Sequence, residues 1–223
     1  MIQRELIELV QQHHPTMGYT EIRAALNRAQ NDYCARTELI KQTYTQTSVA
    51  GRRYYTINED TLKILSVQIN DVNIPRLQGN PIIDDDEYDN EEGLTAGSSS
   101  SNERYWYVHH GKLAIVEKML NALTRDGKSS NYQSISEAKE IRIHTISQAT
   151  DFTSNLDQIS ELPTQFHEAL PIKVISDGYL IPPTIQAEIH KVFYVKYMDF
   201  VKEGKSYARS NYIQTGNIRQ THF

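Results

Sequence analysis

The chain has 223 residues, 39% of them hydrophobic and 23% charged, with a formal net charge of −5. That balance suits one good-sized core or two small ones and excludes a fibrous protein. No run approaches the roughly 18 apolar residues of a spanning helix, and the opening MIQRELIELV sets Glu5 and Glu8 inside its apolar run, unlike a secretory signal. The expectation is a protein kept in a cytosol-like compartment, with no membrane attachment.

In chain order, residues 2 to 14 form a helix candidate with Ile2, Leu6, Leu9 and Val10 on one side and Pro15 as its stop. A second helix is predicted from Thr20, as N-cap, to about Thr45, with Ile22, Leu26, Ala29, Tyr33 and Ile40 at helical spacing. Cys34 lies within it. As the only cysteine it can form neither an internal disulfide nor a multi-cysteine metal site, and it reads as a small apolar filler.

Gly51 marks a change of period. Leu65, Val67 and Ile69 alternate with Ser66 and Gln68 as a half-buried strand; Asn70 and Asp71 supply a turn, and a short strand with Val72 and Ile74 follows before Pro75. Further on, Tyr105 to Val108 and Lys112 to Val116 read as a hairpin turning at His110 and Gly111. Ile141 and Ile143 add a strand, giving a mostly antiparallel sheet of four to six strands.

Residues 79 to 102 interrupt that sheet as an insertion. They hold seven acids (Asp84, Asp85, Asp86, Glu87, Asp89, Glu91 and Glu92) and no Lys or Arg, followed by a Gly/Ser-rich run. Such a composition cannot bury a core, so a mobile loop or one ordered only against a partner is expected. Outside it, 23 bases face 21 acids, so the body is near neutral and shows no basic stripe for gripping duplex DNA.

The best-patterned stretch is Leu162 to Asn211. Phe166, Leu170 and Val174 open one amphipathic segment, which Pro171 should bend or split. Thr184 is the expected cap of a long helix through Tyr207 whose apolar face is Ile185, Ile189, Val192, Phe193, Phe200 and Tyr207. Phe166, Leu170, Ile189 and Phe193 are assigned to the fold. Tyr194, Tyr197 and Met198 widen the apolar surface and are candidates for subunit packing. From Lys205 to Phe223 there are bases but no acids, and Gly216 argues against a long helix. That segment is either a frayed terminus or a docking arm using Lys205, Arg209, Tyr212, Ile213, Ile218, Arg219 and Phe223.

Catalytic and metal signatures are absent from the sequence. There is no G-x-S-x-G, no glycine-rich phosphate loop and no H-E-x-x-H. His13–His14 and His109–His110 are neighbours that point apart on a helix or strand, and the acidic run lacks the Gly and Glu of a calcium loop. No enzyme activity, cofactor or metal is expected.

The segment Tyr55, Ile57, Asp60, Lys63, Ile64 and Val67, then LPTQFHEAL with Leu162, Pro163, Phe166, His167, Ala169 and Leu170, then a Tyr-rich helix, resembles tailed-phage head-to-tail adaptor proteins. The nearest members are the portal-docking connector and tail tubular proteins of short-tailed phages. The acidic insertion and Pro171 depart from the pattern.

The resemblance implies an α+β fold. Residues 1 to 50 and 151 to 211 would form a helical bundle, 51 to 150 an inserted antiparallel β-domain with the acidic loop, and 212 to 223 an extended docking arm. It implies a virion structural protein at the head-tail junction, made in the host cytoplasm. About twelve identical subunits would form a ring under the portal, join a tail or nozzle protein, and line a channel for double-stranded DNA in packaging, retention and ejection. Two alternatives are another ring or neck component of the tail, and a DNA-binding regulator using residues 16 to 47 as a helix-turn-helix. A small hydrolase is a third.

Overall fold

A computed structural model describes residues 1–78, 100–119, 132–181 and 185–210. The chain divides into two compact units, Met1–Lys41 with Ile146–Phe223, and Gln42–Thr145. The fold is α+β: among the described residues four α-helices lie in the first unit, and β-strands build the second.

The helical unit contains α1 (Gln3–His13), α2 (Tyr19–Thr37), α3 (Ala169–Gly178) and α4 (Ala187–Ser210). Its core gathers Leu6, Ile7 and Val10 of α1, Ile22, Leu26, Tyr33 and Cys34 of α2, and Leu170 and Val174 of α3. Tyr197 and Val201 of α4 complete it, with Phe166 from a 3₁₀ turn at Thr164–Phe166. Pro171 is the third residue of α3, where a backbone N–H has no partner inside the helix. The segment therefore divides before the proline, and α3 itself is continuous.

The predicted second helix is too long. It ends at Thr37, where Glu38 takes the left-handed conformation (φ 56°) and donates its N–H to the Cys34 carbonyl. Lys41–Thr47 then forms strand β1. Thr43, Thr45 and Thr47 are β-branched at alternate positions, a pattern that costs a helix rotamer freedom and suits a strand. The cap shifts too: Gly18, in an extended conformation, precedes the helix, and Thr20 lies inside it.

The irregular stretch 149–160 is held to α2 by side-chain amides. Asn27 Nδ2 donates to the Phe152 carbonyl (3.2 Å) while Asn27 Oδ1 accepts from the Phe152 N–H (2.8 Å). Gln30 Nε2 donates to the Thr150 carbonyl (2.9 Å), and its oxygen accepts from the buried Ser160 hydroxyl (2.7 Å). These amides satisfy backbone groups that have no strand or helix partner.

α2 and α4 approach each other closely at Gly204. A Cβ there would lie 2.6 Å from the Tyr33 hydroxyl and 2.8 Å from Thr37 Cγ2. Nearby, the Tyr33 hydroxyl donates to the Phe200 carbonyl (3.0 Å) and the Tyr197 hydroxyl to Asp32 Oδ2 (2.7 Å). Burial raises both tyrosine pKa values far above normal, and Asp32 adds to the effect at Tyr197, so both stay protonated donors.

The β unit has more strands than the sequence predicts, eight among the described residues, in two sheets. One sheet has the order β1-β8-β3-β4, with β3 Thr61–Ile69, β4 Val72–Ile74 and β8 Glu140–Ser147. The other has the order β2-β6-β5, with β2 Tyr54–Tyr55, β5 Ser100–His109 and β6 Lys112–Met119; β7 (Tyr132–Ser134) also pairs with β6. Two tight turns set the registers. Asn70 and Asp71 both have positive φ and bring Ile69 opposite Val72; His110 and Gly111 do the same and bring His109 opposite Lys112. Val67, Ile69, Ile74, Ile141 and Ile143 from the first sheet meet Tyr55, Trp106, Leu113 and Ile115 from the second in one core. Glu117 is buried and is held by Arg104 Nε at 2.8 Å and by the Ser136 hydroxyl at 3.2 Å.

Two predictions concern the helical unit. Gly204→Ala removes the helix penalty of glycine, about 1 kcal/mol, but forces a methyl into Tyr33 and Thr37. The clash should win, with a net loss of about 1–2 kcal/mol in a urea midpoint. The second concerns His167, which is buried, donates from Nε2 to the Leu162 carbonyl (2.7 Å), and has its pKa lowered chiefly by burial. A depressed native pKa means the unfolded chain takes the proton first. The contribution is therefore complete above the ordinary imidazole pKa of about 6.5 and is lost as pH falls below it. Thermal melts at pH 7 and 5.5 should show a smaller acid-induced fall in His167→Gln than in wild type.

Candidate docking surface on the last helix

Two stripes run along α4. One is buried: Tyr197, Val201, Gly204 and Ala208, spaced four, three and four residues apart, face the core. The other is a flank that the described residues leave uncovered. On it Ile189 is 39% and Val192 57% exposed, Phe193 and Phe200 are half-buried, and Tyr207 is exposed. Leu180, Ile181 and Ile185, which precede α4 in the chain, are exposed as well.

The start of this flank is stiffened by aromatic packing. Tyr179 stacks on Phe193 with centroids 5.9 Å apart, and His13 meets Phe193 edge-on at 5.1 Å. His13 Nδ1 hydrogen-bonds the Tyr179 hydroxyl (3.1 Å), and His14 Nε2 donates to the Ile175 carbonyl (3.0 Å). This pair thus ties the end of α1 to the end of α3. His109 and His110 sit at their hairpin turn, rings edge-on at 4.3 Å; burial first and His110 second lower the His109 pKa. Among the described residues no group of three or more His, Cys, Asp or Glu side chains could hold a metal ion. Cys34 is buried and its thiol is pushed up to about 11, so it stays protonated at neutral pH. No helix among the described residues is long and apolar enough to cross a membrane.

At the other end of α4 lies a hollow of ≈ 310 Å³, lined by Arg36, Thr37, Glu38, Lys41, Ile146, Lys205, Ala208 and Arg209. Four of these side chains are cationic and one is acidic. Asp32 accepts from Arg36 Nε at 2.9 and 2.8 Å with both its oxygens, which holds that guanidinium in place and raises its pKa.

Several predicted site residues take unexpected positions. Tyr197 is wholly buried in the helical core, so its ring is used within the unit and offers no surface for subunit packing. Tyr194 and Met198 are half-buried against the same core. Ile189, assigned to the fold, is on the exposed flank instead, whereas Phe166 and Leu170 are buried as expected. Lys205 and Arg209 belong to the last two turns of α4 and not to a non-helical tail. Tyr212, Ile213, Ile218, Arg219 and Phe223, the acidic run Asp84 to Glu92, and the Thr184 cap lie outside the described residues. Residues 16 to 47 hold one helix and one strand, which does not make a helix-turn-helix. Sequence reasoning missed Arg36 and Lys41 as neighbours of Lys205 and Arg209. More than 160 residues separate the two pairs, and no local pattern links them.

The arrangement is that of a protein with a helix flank to be covered and a charged hollow beside it. Residues 2–170 match the family described as SU10 adaptor protein, and the chain belongs to that family. The family is one of phage head-to-tail adaptors, so the chain is a phage structural adaptor and a component of the virion. The match ends at Leu170, so α4 lies beyond it. No curated protein matches the chain.

The two stripes of α4 can be separated by truncation. Val201→Ala, in the buried stripe, should cost about 1–3 kcal/mol, and Val192→Ala on the flank less than about 0.5 kcal/mol, both read from urea denaturation.

Proposed function

We propose that this adaptor assembles as a ring of about twelve identical copies between portal and tail, and that the ring surrounds the path of double-stranded DNA. The observation that carries the reading is the exposed apolar flank of α4 leading into Lys205 and Arg209, in a chain of an adaptor family. A closed ring needs two unlike surfaces on each copy, one meeting the other on its neighbour. The flank of α4 is one such surface, with Tyr194 and Met198 at its border.

The portal contact is assigned to residues 205–223. Lys205 and Arg209 steer the approach, and Tyr212, Ile213, Ile218, Arg219 and Phe223 anchor the arm, while the other end of the ring receives a tail or nozzle protein. Outside the acidic insertion the charge is nearly balanced, which suits a conduit: strong phosphate contacts would retard DNA in packaging and ejection.

Deleting residues 212–223 should abolish capture by purified portal and leave the melting temperature unchanged. Native mass measurement of the full chain with portal should give about twelve copies per portal ring. If the truncated chain docks as well as the full one, the arm is not the anchor; if the full chain ignores portal altogether, it belongs to another ring of the neck.

A further inference from the structure

The exposed flank of α4 needs an unlike surface on the next copy to receive it, and the helical unit holds one. A face of α2 that carries Glu21, Ala25 and Arg28, with Met17 just before the helix, lines a second hollow of ≈ 530 Å³ together with Val174 of α3 and Tyr194 of α4. Glu21 and Arg28 are exposed, and among the described residues neither makes an ion pair. On the flank, Glu203 is exposed and likewise unpaired, and Lys196 is exposed with its ammonium 5.6 Å from the centre of the Phe193 ring. Each surface therefore offers one acid and one base that the copy itself does not use as an ion pair.

The two surfaces share a register. Val192, Lys196, Phe200 and Glu203 are four, four and three residues apart, and so are Met17, Glu21, Ala25 and Arg28. Such spacing belongs to any helix stripe, but the match in kind does not. Laid side by side in the same direction, Val192 meets Met17, Lys196 meets Glu21, Phe200 meets the small Ala25, and Glu203 meets Arg28. Run in the opposite direction, the charged positions would set Lys196 against Arg28 and Glu203 against Glu21, like against like. The fold supplies the favourable direction. Within one copy α2 and α4 run in the same sense, since Asp32 meets Tyr197, Tyr33 meets the Phe200 carbonyl and Thr37 meets Gly204. Neighbours in a ring of about twelve are turned by about 30°, so that sense is kept from copy to copy.

We infer that the α4 flank of one copy packs along the Met17–Arg28 face of α2 of a second copy, in parallel, with Lys196 on Glu21 and Glu203 on Arg28. This rests on the reading that copies assemble as a ring, and it names the second of the two surfaces. The contact is heterologous. Five residues at about 100° each put Tyr194, at the hollow, about 140° from Ile189 around α4, so hollow and flank face different neighbours. Apolar side chains supply contact area, and the two ion pairs fix direction and register.

The test uses the full chain, with purified portal present. Glu21→Lys with Arg28→Glu reverses the hollow, and Lys196→Glu with Glu203→Lys reverses the flank. All four side chains are exposed, so the melting temperature should hold. Each reversed chain should associate about tenfold or more weakly than wild type in native mass measurement. A chain with all four changes should recover association, as should a mixture of the two reversed chains, because each then offers the surface that the other lacks.

Cysteines read the register directly. Glu21→Cys with Lys196→Cys should cross-link copies into a ladder on oxidation, whereas Arg28→Cys with Lys196→Cys, about 10.5 Å out of step along the helix, should not. Cys34 is buried and takes no part. Wild-type association by both reversed chains, no recovery in the four-change chain, or a ladder from the mismatched pair alone overturns the inference and leaves the ring standing. So does loss of portal capture by the flank-reversed chain with self-association unchanged, which gives the flank to the portal. A wild-type chain that stays single beside portal overturns the ring and this contact together.

Discussion

The helical unit depends on a missing side chain. At Gly204 the last helix comes so near to α2 that even a methyl group would strike Tyr33 and Thr37. That closeness lets the Tyr33 hydroxyl reach the Phe200 carbonyl and the Tyr197 hydroxyl reach Asp32, so two long aromatic side chains are buried without stranded polar atoms. Asp32 is shared with Arg36 one turn further on, which links the packing of the two helices to the charge at their ends. If the helices stood further apart, both tyrosines would lose their acceptors. The position of α4, and so which of its sides is left uncovered, follows from this approach.

The β unit is organised on different terms. The registers of its two hairpins are set by turns of two residues each, and its interior is made of Val, Ile, Leu and aromatic rings from both sheets. One buried carboxylate, Glu117, is tolerated because Arg104 and Ser136 meet it. The helical unit is held largely by contacts far apart in sequence, whereas the β unit combines two local hairpins with the distant pairings β1–β8, β8–β3 and β2–β6. The two halves of the molecule therefore place different demands on their sequences.

Those demands explain what could be read in advance. The hairpins at Asn70–Asp71 and His110–Gly111 were legible because turn chemistry and alternation are local. Strand β1 was not, since Lys41–Thr47 has few apolar residues and no hydrophobic alternation to find. The end of α2 was hidden by Glu38, a left-handed cap that is not glycine. In α4 the buried stripe includes Gly204 and Ala208, which carry little hydrophobicity. The sequence pattern therefore points to the flank of Ile189 and Val192, and of the core side it shows only Tyr197, which reads as surplus surface. For the candidate surface, Lys205 and Arg209 are legible as cations of a terminal stretch, Lys205 to Phe223, that holds no acids, whereas Arg36 and Lys41 join them only through the folding of α2 against α4.

The amides of Asn27 and Gln30 have a consequence for how the chain is put together. They fasten the stretch that returns from the β unit, and just before it the Ser147 N–H bonds to the Ile40 carbonyl at 3.0 Å. The chain leaves the helical unit and re-enters it at adjoining points. Roughly a hundred residues are thus attached through a gap that a few residues could bridge, and closing so long an excursion on a prepared seam adds little to the entropy already lost. Such a seam lets a lineage enlarge, trim or exchange the β unit while keeping one helical frame.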